Sequence, residues 1–426
     1  MINEIFNRKS EYTKNIFILL TGSFIGQLIP VLLSPIVTRI YSPEDFGIFA
    51  LFFAVVMIIG NIINARYEHA IMLPKEEKEA INIFALGVLI SFFISIILQL
   101  SIFLFYNDFV FYTNKDITYW LYLVPFSTFF IGFFNLLSQF NNRKKNYKDI
   151  STATVYKSII LVFSQISIGL IKPGSFGLVF GEIFSRVFAN YKLLKNIIEE
   201  KIFFSSISKK ELFFVAKKYK EFPLYNLPSS LADIITSHLA FILFPKIFSL
   251  GISGSFLLAQ KIIFLPSSLI AKSVSHVLFQ KMTENINLNI KNMPLLIGTI
   301  KKLFLIAGPI SFIIYFYSPY LFTFIFGEQW KSAGEIAQYL SLIFFITFLS
   351  STVSITLIAY RKLKTLAKWQ YLYFCSSILF FSVFFVLEVE LYDFLFYYVI
   401  HECIIYSIYL FIIIKTVRDM DKLIEE

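Results

Sequence analysis

Charged side chains are scarce in this sequence. Asp, Glu, Lys and Arg make up 15% of its 426 residues, against about 25% in an average soluble chain. Cysteine is nearly absent: Cys375 and Cys403 both sit in apolar runs, which argues against a disulfide framework or a thiolate metal cluster. Four histidines and no His-Glu-x-x-His leave metal catalysis without a ligand set. No Gly-x-x-x-x-Gly-Lys-Ser/Thr occurs, so ATP hydrolysis by a P-loop is excluded. No metal or organic cofactor is expected. What fills the chain is apolar, with 57% hydrophobic and 19% aromatic residues, including 53 Phe, and a mean hydropathy of +0.72. The solvent for most of this chain is lipid.

A bilayer core needs about 20 mainly apolar residues per helix. Twelve such runs are predicted, at 15–39, 46–66, 81–105, 117–139, 151–171, 176–194, 222–245, 252–280, 294–317, 334–358, 366–387 and 393–414. Their length excludes a barrel, whose strands alternate over roughly ten residues. Arg8, Lys9 and Lys14 precede the first run, which continues without a small-residue cleavage site and so reads as an uncleaved span. Basic residues gather in alternate gaps: Arg143, Lys144, Lys145 and Lys148, then Lys192 through Lys220, then Arg361, Lys362, Lys364 and Lys368, and finally Lys415, Arg418 and Lys422. The positive-inside rule then places both termini in the cytoplasm. The net charge of +10 is on this reading mostly topology, and no nucleic-acid partner is expected.

The expected architecture is an all-α polytopic membrane protein with twelve transmembrane helices in two six-helix lobes, residues 1–195 and 222–426. A cytoplasmic amphipathic linker, 196–221, joins them. In it Ile202, Phe203, Phe204, Leu212, Phe213, Phe214 and Val215 interleave with lysines, as in a helix lying against anionic headgroups; a solvated linker is the alternative. The halves echo one another. Arg39–Leu51 aligns with Lys246–Leu258, each between the first and second helices of its half, and Asn142-Arg143-Lys144 matches Tyr360-Arg361-Lys362 before each fifth helix. Six helices per half give a parallel repeat, a plan of alternating-access transporters with the site between halves.

Ionisable groups inside spans cost roughly 2.5–3.5 kcal/mol each on insertion scales and belong in a wet cavity or a pair. Glu182 and Arg186, four apart with the acid first, suit an ion pair or a substrate contact. Lys261 and Lys272 lie eleven apart on one face, with His276 a turn beyond; they line an anion-facing wall or snorkel to the interface. Lys157 has the same two options. The second helix ends in Asn61, Asn64, Arg66 and Glu68, with Asn61, Asn64 and Glu68 on one helical face. Arg39 and Lys246 close the first helix of each half. Asp233 and His238 bind a coupling cation or proton, or hydrogen-bond to neighbouring helices. Glu68 and Glu182 are further ion-coupling candidates. Gly22-x-x-x-Gly26 with Pro30 and Pro35 predicts a closely packed, bent first helix. His401-Glu402 reads as a paired structural site.

Five segments carry a family resemblance: Tyr41-Ser-Pro-Glu-Asp-Phe-Gly-Ile-Phe49, Ala65-Arg-Tyr-Glu-His-Ala-Ile71, Lys217-Lys-Tyr-Lys-Glu-Phe-Pro-Leu-Tyr-Asn-Leu-Pro228, Leu257-Leu-Ala-Gln-Lys-Ile-Ile-Phe-Leu-Pro266 and Phe326-Gly-Glu-Gln-Trp-Lys-Ser-Ala333. In order and position they resemble the Wzx-type oligosaccharide-lipid flippases of the multidrug/oligosaccharidyl-lipid/polysaccharide (MOP) exporter superfamily. Lys261 departs from the Arg expected there, which turns a bidentate contact into a point charge. The resemblance implies a V-shaped two-lobe bundle in the bacterial cytoplasmic (inner) membrane. It implies a substrate, an undecaprenyl-pyrophosphate-linked oligosaccharide, moved to the outer leaflet for O-antigen or capsule synthesis. Partners would be membrane lipids and the polysaccharide polymerase and chain-length proteins. Arg39, Arg66, Lys157, Arg186, Lys261, Lys272 and His276 would then meet the pyrophosphate, and Asn61, Asn64, Tyr41 and Tyr67 the sugars. The alternatives are a multidrug or organic-cation exporter of the same superfamily and an integral-membrane glycosyltransferase or polymerase.

Overall fold

The computed structural model describes residue 18 and residues 21–107, 119–198 and 206–423. The basic residues Arg8, Lys9 and Lys14, the start of the first span, and the linker residues Ile202, Phe203 and Phe204 lie outside them. Every regular element among the described residues is helical, as a chain without water to satisfy its backbone requires. Among the described residues ten helices are long and apolar enough to cross a membrane, with a shorter apolar stretch at Leu250–Phe264. Within the described residues each of the twelve expected runs falls on a helix. One does not count among the ten because α6 (Phe176–Ile198) carries Glu182, Arg186 and Lys192; another falls on α9 (Leu250–Asn287), whose apolar stretch is Leu250–Phe264.

Two compact units make up the chain, Met1–Ile242 and Leu243–Glu426; the division falls inside α8 (Leu227–Ile247). In the first unit α1 (Thr21–Ile40) is interrupted by a turn at Leu33. Pro35 has no N–H to give Val31, and the Ser34 hydroxyl donates to that carbonyl instead, at 2.6 Å. A Cβ on Gly26 would stand 2.9 Å from Thr154 Cγ2 of α5 (Tyr147–Ile171), so α1 and α5 pack backbone to backbone. Ser42 and Asp45 form a reciprocal capping box at the start of α2 (Pro43–Ile62), with Pro43 in its first position.

The expectation that α2 stays helical through Glu68 fails. Ala65 and Arg66 adopt left-handed backbone angles, φ 50° and 64°, and a 3-10 turn, Tyr67–Met72, follows. That turn, α3 (Glu77–Leu104), α4 (Val124–Arg143), α5 and α6 enclose a core around Ile71, Ile83, Leu136, Phe140 and Leu193. The linker contributes to the same core. Its helix α7 (Lys209–Lys218) buries Val215 completely while Phe213 and Phe214 stay exposed. Lys78–Glu211 at 3.0 Å, Lys218–Glu79 at 2.5 Å and the Tyr219 hydroxyl donating to Glu79 at 3.0 Å fasten it to α3.

The second unit is built from the end of α8, the long α9, α10 (Met293–Phe326), α11 (Lys331–Val353), the short α12 (Ile355–Ala359), α13 (Leu363–Leu387) and α14 (Leu391–Lys422). Phe244, Phe256, Phe380, Phe381 and Phe394 pack with ring centroids 4.8–6.3 Å apart, distances at which aromatic pairs attract beyond their buried area.

Candidate functional site

The sequence candidates of the first unit fall into two groups joined by α2. In the middle of the spans Glu182 and Arg186 form a buried ion pair one turn apart on α6. The guanidinium also donates to Met57 Sδ on α2, at 3.7 Å, and its Nε–H, 6% exposed as a residue, has no hydrogen-bond partner among the described residues. Lys157 on α5 is close enough to feel the charges of both Arg186 and Glu182, yet its ammonium makes no hydrogen bond or ion pair among the described residues. Two cations thus share one carboxylate, and N–H donors of both are left over. Burial without compensation is costly for such groups, and the arrangement leaves a net positive charge within the spans.

The second group lies where α2 ends. Asn61 donates to its own helix at the Met57 carbonyl, 2.8 Å. Its carbonyl accepts from Arg66 Nη1 at 3.2 Å. The left-handed backbone at Arg66 turns the side chain back along the helix end, where Nε donates to Asn226 Oδ1 at 2.9 Å and Nη1 pairs with Glu68 at 3.5 Å. Glu68 is buried, which pushes its carboxyl above the ordinary carboxylate value; Arg66, a backbone N–H and Asn64 oppose that shift without cancelling it. His69, 3.6 Å from Glu68, is pushed down by burial and then by Arg66. Asn64 is fully buried, donating to the Gly132 carbonyl at 2.8 Å and accepting from Ser91. From Met57 and Asn61 on α2 to Arg66 beyond its end, the contacts therefore form a continuous track.

Tyr41 and Tyr67 do not face a cavity as expected. Tyr41 is 1% exposed and donates to the Gln165 carbonyl at 2.5 Å; Tyr67 is buried and donates to the Ala216 carbonyl at 3.0 Å. A Cβ at Gly177 would collide with the Tyr41 hydroxyl, so the tyrosine fills space that the α5–α6 hairpin leaves open. Arg39 is exposed in the last turn of α1, where the helix dipole favours a cation. On α8 Asp233 is exposed and has no ion-pair partner among the described residues. His238 lies against Phe53 of α2, ring centroids 6.2 Å apart, with its buried Nδ1 unpartnered among the described residues.

In the second unit Lys261, Lys272 and His276 ride on the unbroken α9, so their spacing of three and then one further helical turn holds. Lys272 and His276 are exposed and Lys261 half-buried. Sequence reasoning left a further polar group incomplete. His401 and Glu402 on α14 are paired at 3.1 Å, and Glu402 also accepts from the Tyr373 hydroxyl at 2.9 Å while His401 meets Ser376 at 3.2 Å, both on α13. Neither this cross-helix reach nor that of Arg66 to Asn226 has a spacing signal, since the partners are far apart in sequence. Among the described residues no cluster of three or more His, Cys, Asp or Glu side chains is arranged to hold a metal ion.

No curated protein matches the chain. Its fold does have solved counterparts. The lipid II flippase MurJ in an inward closed conformation superposes with a TM-score of 0.65 at 16% identity, over 96% of this chain and 87% of that one. An outward-facing multidrug resistance MATE family transporter of the MOP superfamily gives 0.63 at 13% identity, over 97% and 96%. A MOP superfamily transporter from Pyrococcus furiosus, described as having a binding pocket of reverse polarity, gives 0.59 at 13% identity, over 97% and 96%. Identities this low speak for the fold alone. The sequence itself goes further, because residues 36–335 match a family of polysaccharide biosynthesis proteins. With that match covering more than half of the chain, the chain belongs to the polysaccharide biosynthesis protein family.

Proposed function

We propose that this protein flips a polyprenyl-pyrophosphate-linked oligosaccharide across the bacterial cytoplasmic membrane by alternating access, for O-antigen or capsule synthesis. The observation that carries the reading is the group of Lys157, Arg186 and Glu182: two cations and one carboxylate within the spans, with donors of both cations left unpaired. A pyrophosphate supplies the missing negative charge, and charge-assisted hydrogen bonds to it are the strong kind. The sugars and pyrophosphate cannot cross hydrocarbon unaided, while the polyprenyl tail never has to leave it. Within the first unit Arg66 and Arg39 extend the basic lining on this reading, and Asn61 and Asn64 flank it; the second unit carries a basic stripe of its own on α9, Lys261, Lys272 and His276. The clustering of Lys and Arg in alternate connections supports cytoplasmic termini. Outward movement of about two negative charges then gains roughly 4–5 kcal/mol per 100 mV of membrane potential.

A second reading, export of an organic cation, is favoured by one observation, the exposed and unpaired carboxylate of Asp233 on α8. On the flippase reading that carboxylate, with Glu68 and Glu182, is a candidate for a counter-transported cation. Lys157→Gln separates the two. In proteoliposomes the variant loses one charge-assisted contact to the pyrophosphate, and lipid-linked oligosaccharide flipping falls about 10- to 100-fold. Asp233→Asn leaves binding of the lipid-linked oligosaccharide intact. Unchanged flipping in Lys157→Gln, with organic-cation transport abolished in Asp233→Asn, would favour the exporter.

A further inference from the structure

At one end of the second unit the first turns of α10 and the last turns of α14 flank an open pocket of about 390 Å³. Its rim is basic: Lys291 just before α10, and Arg418 and Lys422 four apart on α14. Its inner wall is apolar, formed by Met293, Ile297 and Ile414, the two isoleucines each one turn further into their helix than the charged rim. The single acid lining it among the described residues, Asp421, is already engaged. Its two carboxylate oxygens accept the backbone N–H groups of Asn292 and Met293, at 3.0 and 2.7 Å, and one of them lies 3.4 Å from the donating Tyr360 hydroxyl. Arg418 and Lys422 are exposed and have no ion-pair partner among the described residues.

The depth of this pocket follows from helix length. The 32 residues of α14 extend about 48 Å at 1.5 Å per residue, well beyond a hydrocarbon core of about 30 Å. The α14 turns bearing Arg418 and Lys422 therefore reach headgroup level, with Ile414 and Ile297 at the edge of the acyl region. A free anion has use for the cations alone. A lipid has use for the whole pocket, its phosphate on the rim and its first methylenes on the apolar wall. Basic pockets between helices at this depth take anionic headgroups.

We propose that this pocket is a binding site for an anionic phospholipid, held by its phosphate through Arg418, Lys422 and Lys291. The site is independent of whatever the protein transports. The test is lipid retention by the full chain, taken from nanodiscs of equal phosphatidylglycerol and phosphatidylcholine and counted by native mass spectrometry. The wild type retains phosphatidylglycerol over phosphatidylcholine. Arg418→Gln with Lys422→Gln, both at exposed positions, lowers phosphatidylglycerol affinity about 25-fold, at about fivefold per cation near a membrane surface. Lys364→Gln with Lys368→Gln, an equal change of charge in the same unit, leaves retention as it was. Equal retention of the two lipids, unchanged retention in the first double variant, or equal loss in both would overturn the proposal. So would displacement of phosphatidylglycerol by inorganic phosphate at the same concentration, which would make the site one for free anions.

Discussion

Lys157 and Tyr41 show how differently two polar side chains behave in the same unit. Lys157 carries a charge with no protein partner among the described residues, beside a pair that has taken up the nearby carboxylate. Tyr41 is wholly committed to the fold, its hydroxyl on the Gln165 carbonyl and its ring against Phe46. The family resemblance sets both against the substrate, and nothing in the local sequence separates a tyrosine that meets sugar from one that packs. The glycines at 169 and 177 that make room for Tyr41 lie on other helices, and no local pattern announces them. Tyr41→Phe removes one buried hydrogen bond and costs about 1 kcal/mol of stability, measured by thermal unfolding in detergent. Burial, with a smaller push from Asp45, raises the Tyr41 pKa to about 12. A phenol raised in the folded state contributes its stability below the ordinary value near 10 and loses it only as pH rises through about 12. The difference between wild type and Tyr41→Phe is therefore the same at pH 6 and pH 9; a difference that vanished at pH 9 would mean the hydroxyl ionises early.

Elements were the most legible level. Each expected span lies on a helix because 20 apolar residues in lipid have no other way to satisfy their backbone. The pairing of Glu182 with Arg186 was also readable, since an i,i+4 spacing fixes neighbours on a helix. What escaped was the end of α2. Nothing in Asn61-Ile-Ile-Asn-Ala-Arg66 is a helix breaker, and the left-handed angles at Ala65 and Arg66 are held by contacts from elsewhere, Asn226 above all. The glycines of α1 and α10 make the packing argument testable. A Cβ on Gly26 meets Thr154 at 2.9 Å, whereas one on Gly298 meets nothing within 4 Å. Gly26→Ala is expected to destabilise by about 1–3 kcal/mol through overpacking. Gly298→Ala is expected to stabilise by about 0.5–1 kcal/mol through helix propensity alone. Equal shifts in unfolding temperature would refute close packing of α1 on α5.

For the whole molecule the scarcity of charge is the informative quantity. A chain that is 15% charged and lipid-solvated can keep few ionisable groups within its spans, so each that remains there has to be paired or exposed to water. Glu182, Glu402 and His401 are paired; Lys157 and Asp233 are without an ion-pair partner among the described residues. On the proposed function an anionic, sugar-bearing head has to change leaflets, and an unpaired cation within the spans suits that cargo. The most direct measurement is a leaflet-resolved assay in proteoliposomes, following a labelled polyprenyl-pyrophosphate oligosaccharide with and without an imposed membrane potential. The account predicts transfer between leaflets well above that in protein-free vesicles, faster when the acceptor side is positive. Transfer no faster than in protein-free vesicles under either condition would contradict it.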